Sequence, residues 1–160
     1  PARGLVFGPL CARLVAWTDN KRSVADADTP RHRILIVDDE ESTRLLLARI
    51  VTSDLEADVQ LAGTSEQALR LTHNYAYDAI LLDLLMPGVG GFAILKDIRS
   101  APPNATTPVL IVSVVSDPQM MDNCMAAGAN AYHVKPVRRS ALVSAIREQI
   151  AARREHTVKG

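Results

Sequence analysis

A run of four apolar residues that ends in a carboxylate constrains the fold of this chain more than any other feature. Ala79 to Leu82 has strand length and no polar side chain, which is typical of a parallel strand covered on both faces. Asp83 follows directly, and Pro87 and Gly88 then lead into a tight loop. The pattern places Asp83 at the carboxyl end of a buried strand, where open α/β sheets build their sites. Taken alone, the same stretch also fits a helix N-cap that follows a strand.

Strand and helix patterns alternate five times after the first thirty residues. The predicted strands begin near Ile34, Val59, Ala79, Val109 and Ala129. A predicted helix follows each strand, marked by an apolar stripe after the first, third and last strands and by capping residues after the other two. This alternation predicts an α/β fold, a doubly wound five-stranded parallel sheet with right-handed crossovers.

Capping patterns mark several helix boundaries. Thr64 and Gln67 have the spacing of a capping box. Asp117 followed by Pro118 is typical of an N-cap with proline in the first turn, and Gly128 is typical of a helix C-terminus. The first helix is predicted to bury one stripe, formed by Leu46, Leu47, Ile50 and Val51.

The chain is predicted to contain one domain with a tail at each end. Residues 1–30 pass from an apolar stretch to a polar one and are interpreted as an N-terminal tail or linker. Residues 31–152 carry the alternating pattern and form the domain. Residues 153–160 are interpreted as a C-terminal tail.

Composition excludes several classes of function. The formal net charge is +0, so no nucleic-acid binding is expected. The apolar stretch from Leu5 to Trp17 is interrupted and too short to cross a bilayer, so no membrane segment is predicted. Cys11 and Cys124 form neither a disulfide framework nor a metal-spaced cluster, which favours a reducing, cytoplasmic setting.

Polar residues follow the predicted strands at the points where they end. These residues are Asp38, Asp39, Asp83, Ser113 and Lys135. The carboxyl ends of parallel strands meet at one edge of a sheet, so the three carboxylates are expected to lie close together and to repel one another. Oxygen ligands without Cys or His favour Mg²⁺ as the balancing cation. Lys135 adds a mobile positive charge and Ser113 a hydroxyl group.

In this order the motifs resemble the receiver domain of two-component response regulators, including the single-domain chemotaxis regulator. The resemblance covers about residues 32–152 and implies the flavodoxin-like (βα)5 receiver fold. It implies that Asp83 is the phospho-acceptor, which attacks the phosphoryl group of a phosphohistidine. Asp39 would ligate Mg²⁺ directly and Asp38 through water, together with Asp83 and the backbone carbonyl of Leu85.

The resemblance also implies how a phosphoryl group is held and sensed. Ser113 and Lys135 would bind the phosphoryl oxygens. Ser113 and Tyr132 would form the pair that moves on phosphorylation. Lys135-Pro136 matches the cis peptide bond of the family, which a bond before proline can adopt at low cost.

The chain departs from the family pattern in three places. Val114 stands where the family usually has a small residue beside the phosphate. Leu85 and Val115 are apolar where many relatives carry polar side chains. A third departure is a pair of arginines, Arg138 and Arg139, at the start of the last helix, where positive charge is unfavourable by about 0.3 to 1 kcal/mol each.

The resemblance predicts a signalling switch that catalyses its own phosphorylation, and not a metabolic enzyme. The apolar side chains of Leu85 and Val115 and the bulk of Val114 predict slow self-dephosphorylation, because none of them can position a water. The partner of the switch would be a sensor histidine kinase or a histidine phosphotransfer protein, and a homodimer could form through the fourth helix, last strand and last helix. One alternative is a non-switching interaction domain in which Val114 closes the pocket. Another, an electron-transfer flavodoxin, is disfavoured because the carboxylates of residues 38–41 would repel a cofactor phosphate.

The remaining polar and sulfur-containing residues are interpreted as structural. They are His32, His73 and His156 on the surface, His133 on a strand face, Met120, Met121 and Met125 in helix packing, and Cys124 as an inert thiol.

Overall fold

A computed structural model describes residues 31–159 of the chain, so the predicted N-terminal tail lies outside the described residues. Five strands alternate with five helices in this range. The strands are β1 (His32–Val37), β2 (Ala57–Ala62), β3 (Ala79–Leu82), β4 (Val109–Ser113) and β5 (Ala131–Val134). The helices are α1 (Glu41–Asp54), α2 (Ser65–Asn74), α3 (Gly90–Ser100), α4 (Pro118–Ala126) and α5 (Arg139–Val158).

The five strands form one parallel sheet in the order β2-β1-β3-β4-β5. This is the doubly wound order of flavodoxin-like folds, and it confirms the predicted fold class. Val37 pairs with Leu82, and Ser113 pairs with Val134. The strands therefore end at one edge of the sheet, which brings the residues that follow them together.

Helices cover both faces of the sheet, so side chains of β1 alternate between two cores. Ile34 and Ile36 face a cluster beneath α1 and α5, and Leu35 and Val37 face a cluster beneath α2, α3 and α4. All residues of β3 and β4 are buried. Burial on both faces explains why the strand before Asp83 contains only apolar residues.

The predicted helix caps are present. The Thr64 hydroxyl oxygen accepts from the Gln67 amide at 3.1 Å, and the Gln67 side chain accepts from the Gly63 amide at 2.9 Å. Asp117 accepts from the Met120 amide at 3.0 Å. Gly128 has φ +103°, the left-handed conformation that glycine adopts most easily after a helix.

The predicted stripe of α1 is wrong at Leu46, which is 58% exposed. Leu47, Ile50 and Val51 are buried as predicted, and Ala48 joins them. Each residue turns about 100° around a helix. The buried face is therefore centred near Leu47 and Val51, and Leu46 lies outside it and is exposed, as Leu45 is.

The last helix is longer than its apolar stripe indicates. Residues 153–158, assigned above to a tail, continue α5 to Val158. Arg153 in these turns donates from Nη1 to the Tyr77 carbonyl at 2.8 Å, a tertiary bond that a local pattern does not reveal. At the other end, Arg139 forms an ion pair with Asp54 of α1, which offsets the unfavourable charge predicted there. No helix within residues 31–159 could span a bilayer.

Candidate functional site

Three carboxylates meet at the carboxyl edge of the sheet. Asp38 and Asp39 follow β1, and Asp83 follows β3, the strand beside it. Carboxylate oxygens of the three residues lie within 4.8 Å of one another. Asp38 and Asp83 are buried, with exposures of 1% and 5%, whereas Asp39 is exposed. The structure therefore brings together the acidic residues that the sequence predicted at this edge.

Lys135 bridges the two buried carboxylates. Its Nζ lies 2.6 Å from Asp38 Oδ2 and 3.1 Å from Asp83 Oδ2. Two carboxylate charges at 4.8 Å, the upper limit on oxygen separations within the cluster, would repel by about 3.5 kcal/mol at an effective dielectric of 20. Burial alone would lower the pKa of Lys135, but the hydrogen bonds to the carboxylates outweigh it and raise the pKa. The ammonium group therefore stays charged and offsets part of the repulsion.

The loop after β1 holds Asp38 in place through backbone contacts. Asp38 Oδ1 accepts from the Glu40 amide at 2.9 Å. Burial raises the pKa of Asp38, because it disfavours the charged form, and the bonds from Lys135 and Glu40 only partly oppose this. A cation at the site would favour the ionised carboxylate.

Arg44 braces the same loop and was not among the predicted site residues. Its Nη1 donates to the Asp38 carbonyl at 2.7 Å. The guanidinium lies over Gly63, where an added Cβ would be 2.8 Å from Nη1. The available signal is weak, because it consists only of an arginine in the first turns of the helix after the acidic pair. Its contacts with Gly63, directly after β2, and with the Asp38 carbonyl are tertiary contacts that a local pattern does not reveal.

A close backbone approach fixes the loop that follows Asp83. The Leu85 amide donates to Asp83 Oδ1 at 3.1 Å, and the Gly91 amide donates to the Leu84 carbonyl at 3.0 Å. A Cβ at Gly91 would lie 2.0 Å from the Asp83 carbonyl oxygen. Glycine is therefore required where α3 begins against the backbone of Asp83.

Ser113 and Tyr132 both contact the backbone of Val115. Ser113 is fully buried, and its Oγ accepts from the Val115 amide at 3.4 Å. The Tyr132 hydroxyl donates to the Val115 carbonyl at 2.6 Å. Burial raises the pKa of Tyr132, so its hydroxyl remains a donor. The predicted switch pair is thus linked through the loop after β4.

Apolar residues follow two of the strands that end at the edge of the acidic cluster. Leu85 and Val114 are 54% and 58% exposed, and Val115 packs partly against the core beneath α2, α3 and α4. The peptide bond before Pro136 is cis, as predicted. Leu85 follows Asp83 by two residues and Val114 directly follows Ser113, so both exposed side chains lie at the edge of the sheet that carries the acidic cluster.

The donor set fits a hard divalent cation. Three carboxylates and one ammonium group leave an excess of negative charge at the sheet edge. The ligand atoms are oxygens, and the exposed Asp39 leaves one side open to water. Mg²⁺ binds such sites through a few carboxylates while it keeps several waters.

A sequence comparison identifies the family. The model of the response regulator receiver domain matches residues 34–147. The chain belongs to the response regulator receiver domain family. It is a receiver domain of the kind found in two-component systems. One relative is the sensory/regulatory protein RpfC of Xanthomonas campestris, which is 32% identical over 125 residues. This match covers 77% of the present chain and 17% of RpfC.

Solved structures agree with this receiver domain in fold. A putative response regulator from Chloroflexus aurantiacus has 30% identity and a TM-score of 0.72, over 76% of this chain and 99% of that one. The receiver domain of a sensor histidine kinase from Pseudomonas aeruginosa PAO1 has 26% identity and a TM-score of 0.70, over the same shares. That structure has a magnesium ion coordinated in its active-site cleft.

Proposed function

We propose that this receiver domain is a phosphorylation-dependent switch that accepts a phosphoryl group from a phosphohistidine on Asp83. The observation that carries the proposal is the position of the buried Asp83 carboxylate beside Asp38, Asp39 and Lys135. Asp83 is the carboxylate of this cluster that follows the central strand of the sheet. A nucleophilic carboxylate needs nearby positive charge when a phosphoryl group arrives.

The chain's own groups account for the transfer step. An Asp83 oxygen attacks phosphorus, a P–O bond forms, the P–N bond breaks, and the electron pair leaves with the imidazole. Lys135 then exchanges its bond with Asp83 for one with a phosphoryl oxygen, and it keeps Asp38 as a partner. The Ser113 hydroxyl would donate to a second phosphoryl oxygen.

Asp38, Asp39, Asp83 and the Leu85 carbonyl are the proposed ligands of Mg²⁺. When bound, the ion supplies positive charge that offsets the carboxylates and the phosphoryl oxygens. The hydrogen bond between the Leu85 amide and Asp83 holds that loop against the acceptor. The site therefore combines a fixed acceptor with a partly open cation position.

The switch is proposed to run from Ser113 to Tyr132 through Val115. If Ser113 turns toward a phosphoryl oxygen, its contact with the Val115 amide changes, and the carbonyl of the same residue holds the Tyr132 hydroxyl. A ligand shifts such a two-state element only through different contacts in the two states. The expected output surface is formed by α4, β5 and α5, which a second copy of the chain could also use.

The partner is proposed to be a sensor histidine kinase or a histidine phosphotransfer protein in the cytoplasm. The similar receiver domain from Pseudomonas aeruginosa belongs to a sensor histidine kinase. The chain spans 17% of RpfC and 52% of the response regulator ArlR of Staphylococcus saprophyticus.

Phosphate uptake with a conformational readout tests the proposal. The protein is incubated with acetyl phosphate and Mg²⁺, and intact mass and amide exchange are followed together. The switch predicts one added phosphoryl group and changed exchange across α4, β5 and α5. A non-switching interaction domain, favoured by the bulk of Val114 at the pocket, would show no added mass, or added mass with unchanged exchange on that face.

Mg²⁺ is expected to raise the thermal stability of the protein. A ligand that binds only the native state stabilises it by about 1.4 kcal/mol at tenfold above its Kd. The Asp39→Ala variant should lose this increase, whereas Glu41→Ala, which removes a nearby carboxylate outside the cluster, should keep it. Thermal unfolding with and without Mg²⁺ measures the effect. An unchanged Mg²⁺ shift in Asp39→Ala would remove Asp39 from the ligand set.

Self-dephosphorylation is expected to be slow, because the exposed side chains beside Asp83 cannot position water. Leu85 is apolar and 54% exposed, and Val114 adds bulk at the same opening. Leu85→Asn should speed loss of phosphate on the order of tenfold, about 1.4 kcal/mol of barrier. Leu85→Ala is the matched control, since it removes bulk without adding a polar group. Equal decay of the wild type and Leu85→Asn in Mg²⁺ would refute the role of water positioning.

A further inference from the structure

An open groove of about 730 Å³ lies at the amino edge of the sheet, opposite the acidic cluster. Residues from the last turns of α5 line it together with the segment just before β3 and with Arg33 of β1. Its lining includes Tyr77, Asp78, Ile150, Arg153, Thr157 and Val158. The groove shares no residue with the phosphorylation site, so the proposed function leaves it unexplained.

Positive charge dominates this groove. Arg33, Arg153 and Arg154 line it, against one carboxylate, Asp78. Asp78 already accepts from the Arg33 backbone amide at 2.8 Å. Arg153 donates from Nη1 to the Tyr77 carbonyl at 2.8 Å, and the Arg154 side chain is exposed. Each guanidinium has five N–H donors, so the groove suits a segment that carries carboxylates.

The chain itself contains such a segment shortly before β1 in the sequence. Residues 25–30 read Ala-Asp-Ala-Asp-Thr-Pro, with two carboxylates and no basic side chain. β1 begins at His32, and Arg33 already lines the groove. An extended chain spans at most about 3.5 Å per residue, so the five steps from Asp28 to Arg33 can span at most roughly 17 Å. A flexible tether of this length would give the carboxylates an effective concentration of about millimolar at the arginines.

We propose that residues 25–30 dock in this groove, with the carboxylates of Asp26 and Asp28 paired with Arg153 and Arg154. Docking would attach whatever lies before the receiver domain to the last turns of α5, the helix whose first turn follows Lys135. The proposal does not depend on phosphorylation of Asp83.

Disulfide trapping in the full chain tests the docking. Ala27→Cys is combined with Thr157→Cys in the groove, in a Cys11→Ser background. The matched control combines Ala27→Cys with Glu56→Cys. Glu56 is exposed, and its carbonyl accepts from the His32 amide at 2.9 Å, so it lies beside the point where the chain enters β1 but outside the groove. Rates are normalised to the reactivity of each single-cysteine protein toward a small disulfide.

Docking predicts that Ala27→Cys cross-links within one molecule about tenfold faster when paired with Thr157→Cys than when paired with Glu56→Cys. Arg153→Glu with Arg154→Glu should remove this preference, and added salt should weaken it. If loss of the Tyr77 contact unfolds that protein, Arg154→Glu alone tests the same point. Equal rates at the two positions would overturn the proposal, as would a preference that survives charge reversal or cross-links found only between two copies.

Discussion

Replacing Asp83 by asparagine is expected to abolish phosphate uptake from acetyl phosphate, a loss of at least about two orders of magnitude. The amide is a poor nucleophile and cannot form an acyl phosphate. The fold should persist, because Lys135 keeps its 2.6 Å contact with Asp38 and the Asp83 backbone remains packed against Gly91. Intact-mass analysis in Mg²⁺ measures the uptake, and far-UV circular dichroism confirms folding.

Asp122→Asn provides the matched control, because it removes an exposed carboxylate on α4 away from the cluster. This protein should take up one phosphoryl group, as the wild type does. If the Asp83→Asn protein took up as much phosphate as the wild type, another residue would be the acceptor and the proposed role of Asp83 would be wrong. Loss of uptake in both variants would indicate damage to the fold, which thermal unfolding would detect.

Replacing Asn104 by alanine is expected to lower the free energy of unfolding by about 3 to 5 kcal/mol. Asn104 is 1% exposed and joins three segments. Its Nδ2 donates to the carbonyls of Thr72 and Tyr75 at 2.6 and 2.7 Å. Its Oδ1 accepts from the Tyr77 amide at 2.9 Å and the Thr107 hydroxyl at 3.0 Å. Truncation leaves buried backbone groups without partners, which costs about 1 to 3 kcal/mol each.

Urea denaturation of matched variants measures this effect. Asn74→Ala is the control, since the Asn74 side chain is exposed and makes one bond, to the Arg70 carbonyl at 2.7 Å. This replacement should lower the free energy of unfolding by about 0.5 to 1.5 kcal/mol, the net contribution of a single hydrogen bond. Asn104→Asp keeps the accepting oxygen but loses both donors, so it should also destabilise strongly. A loss below about 1 kcal/mol in Asn104→Ala would show that the surroundings relax or admit water.

Local patterns were sufficient to predict the order of strands and helices and the polar residues that gather at the carboxyl edge of the sheet. Apolar runs of strand length alternate with helical stripes, and a parallel sheet places all strand ends together. For this reason Asp38, Asp39, Asp83 and Lys135 could be placed near one another from the sequence. The family resemblance, and not geometry, supplied the roles of these residues.

Contacts between distant segments were decided only in three dimensions. The Arg44 brace depends on how α1 lies across Gly63. The Asn104 network depends on the end of α2 and the loops before β3 and β4, which meet at the other edge of the sheet. Tyr132 reaches the Val115 carbonyl, a backbone group that no sequence motif marks.

The sequence by itself determined the doubly wound sheet and the edge at which its polar residues gather, because strand periodicity and chain direction are local properties. Tertiary structure decided which groups touch, how far α5 extends, and that Leu46 faces outward. Those outcomes depend on packing between helices and sheet and on backbone groups that every residue carries. Neither is encoded in the spacing of side-chain types along the chain.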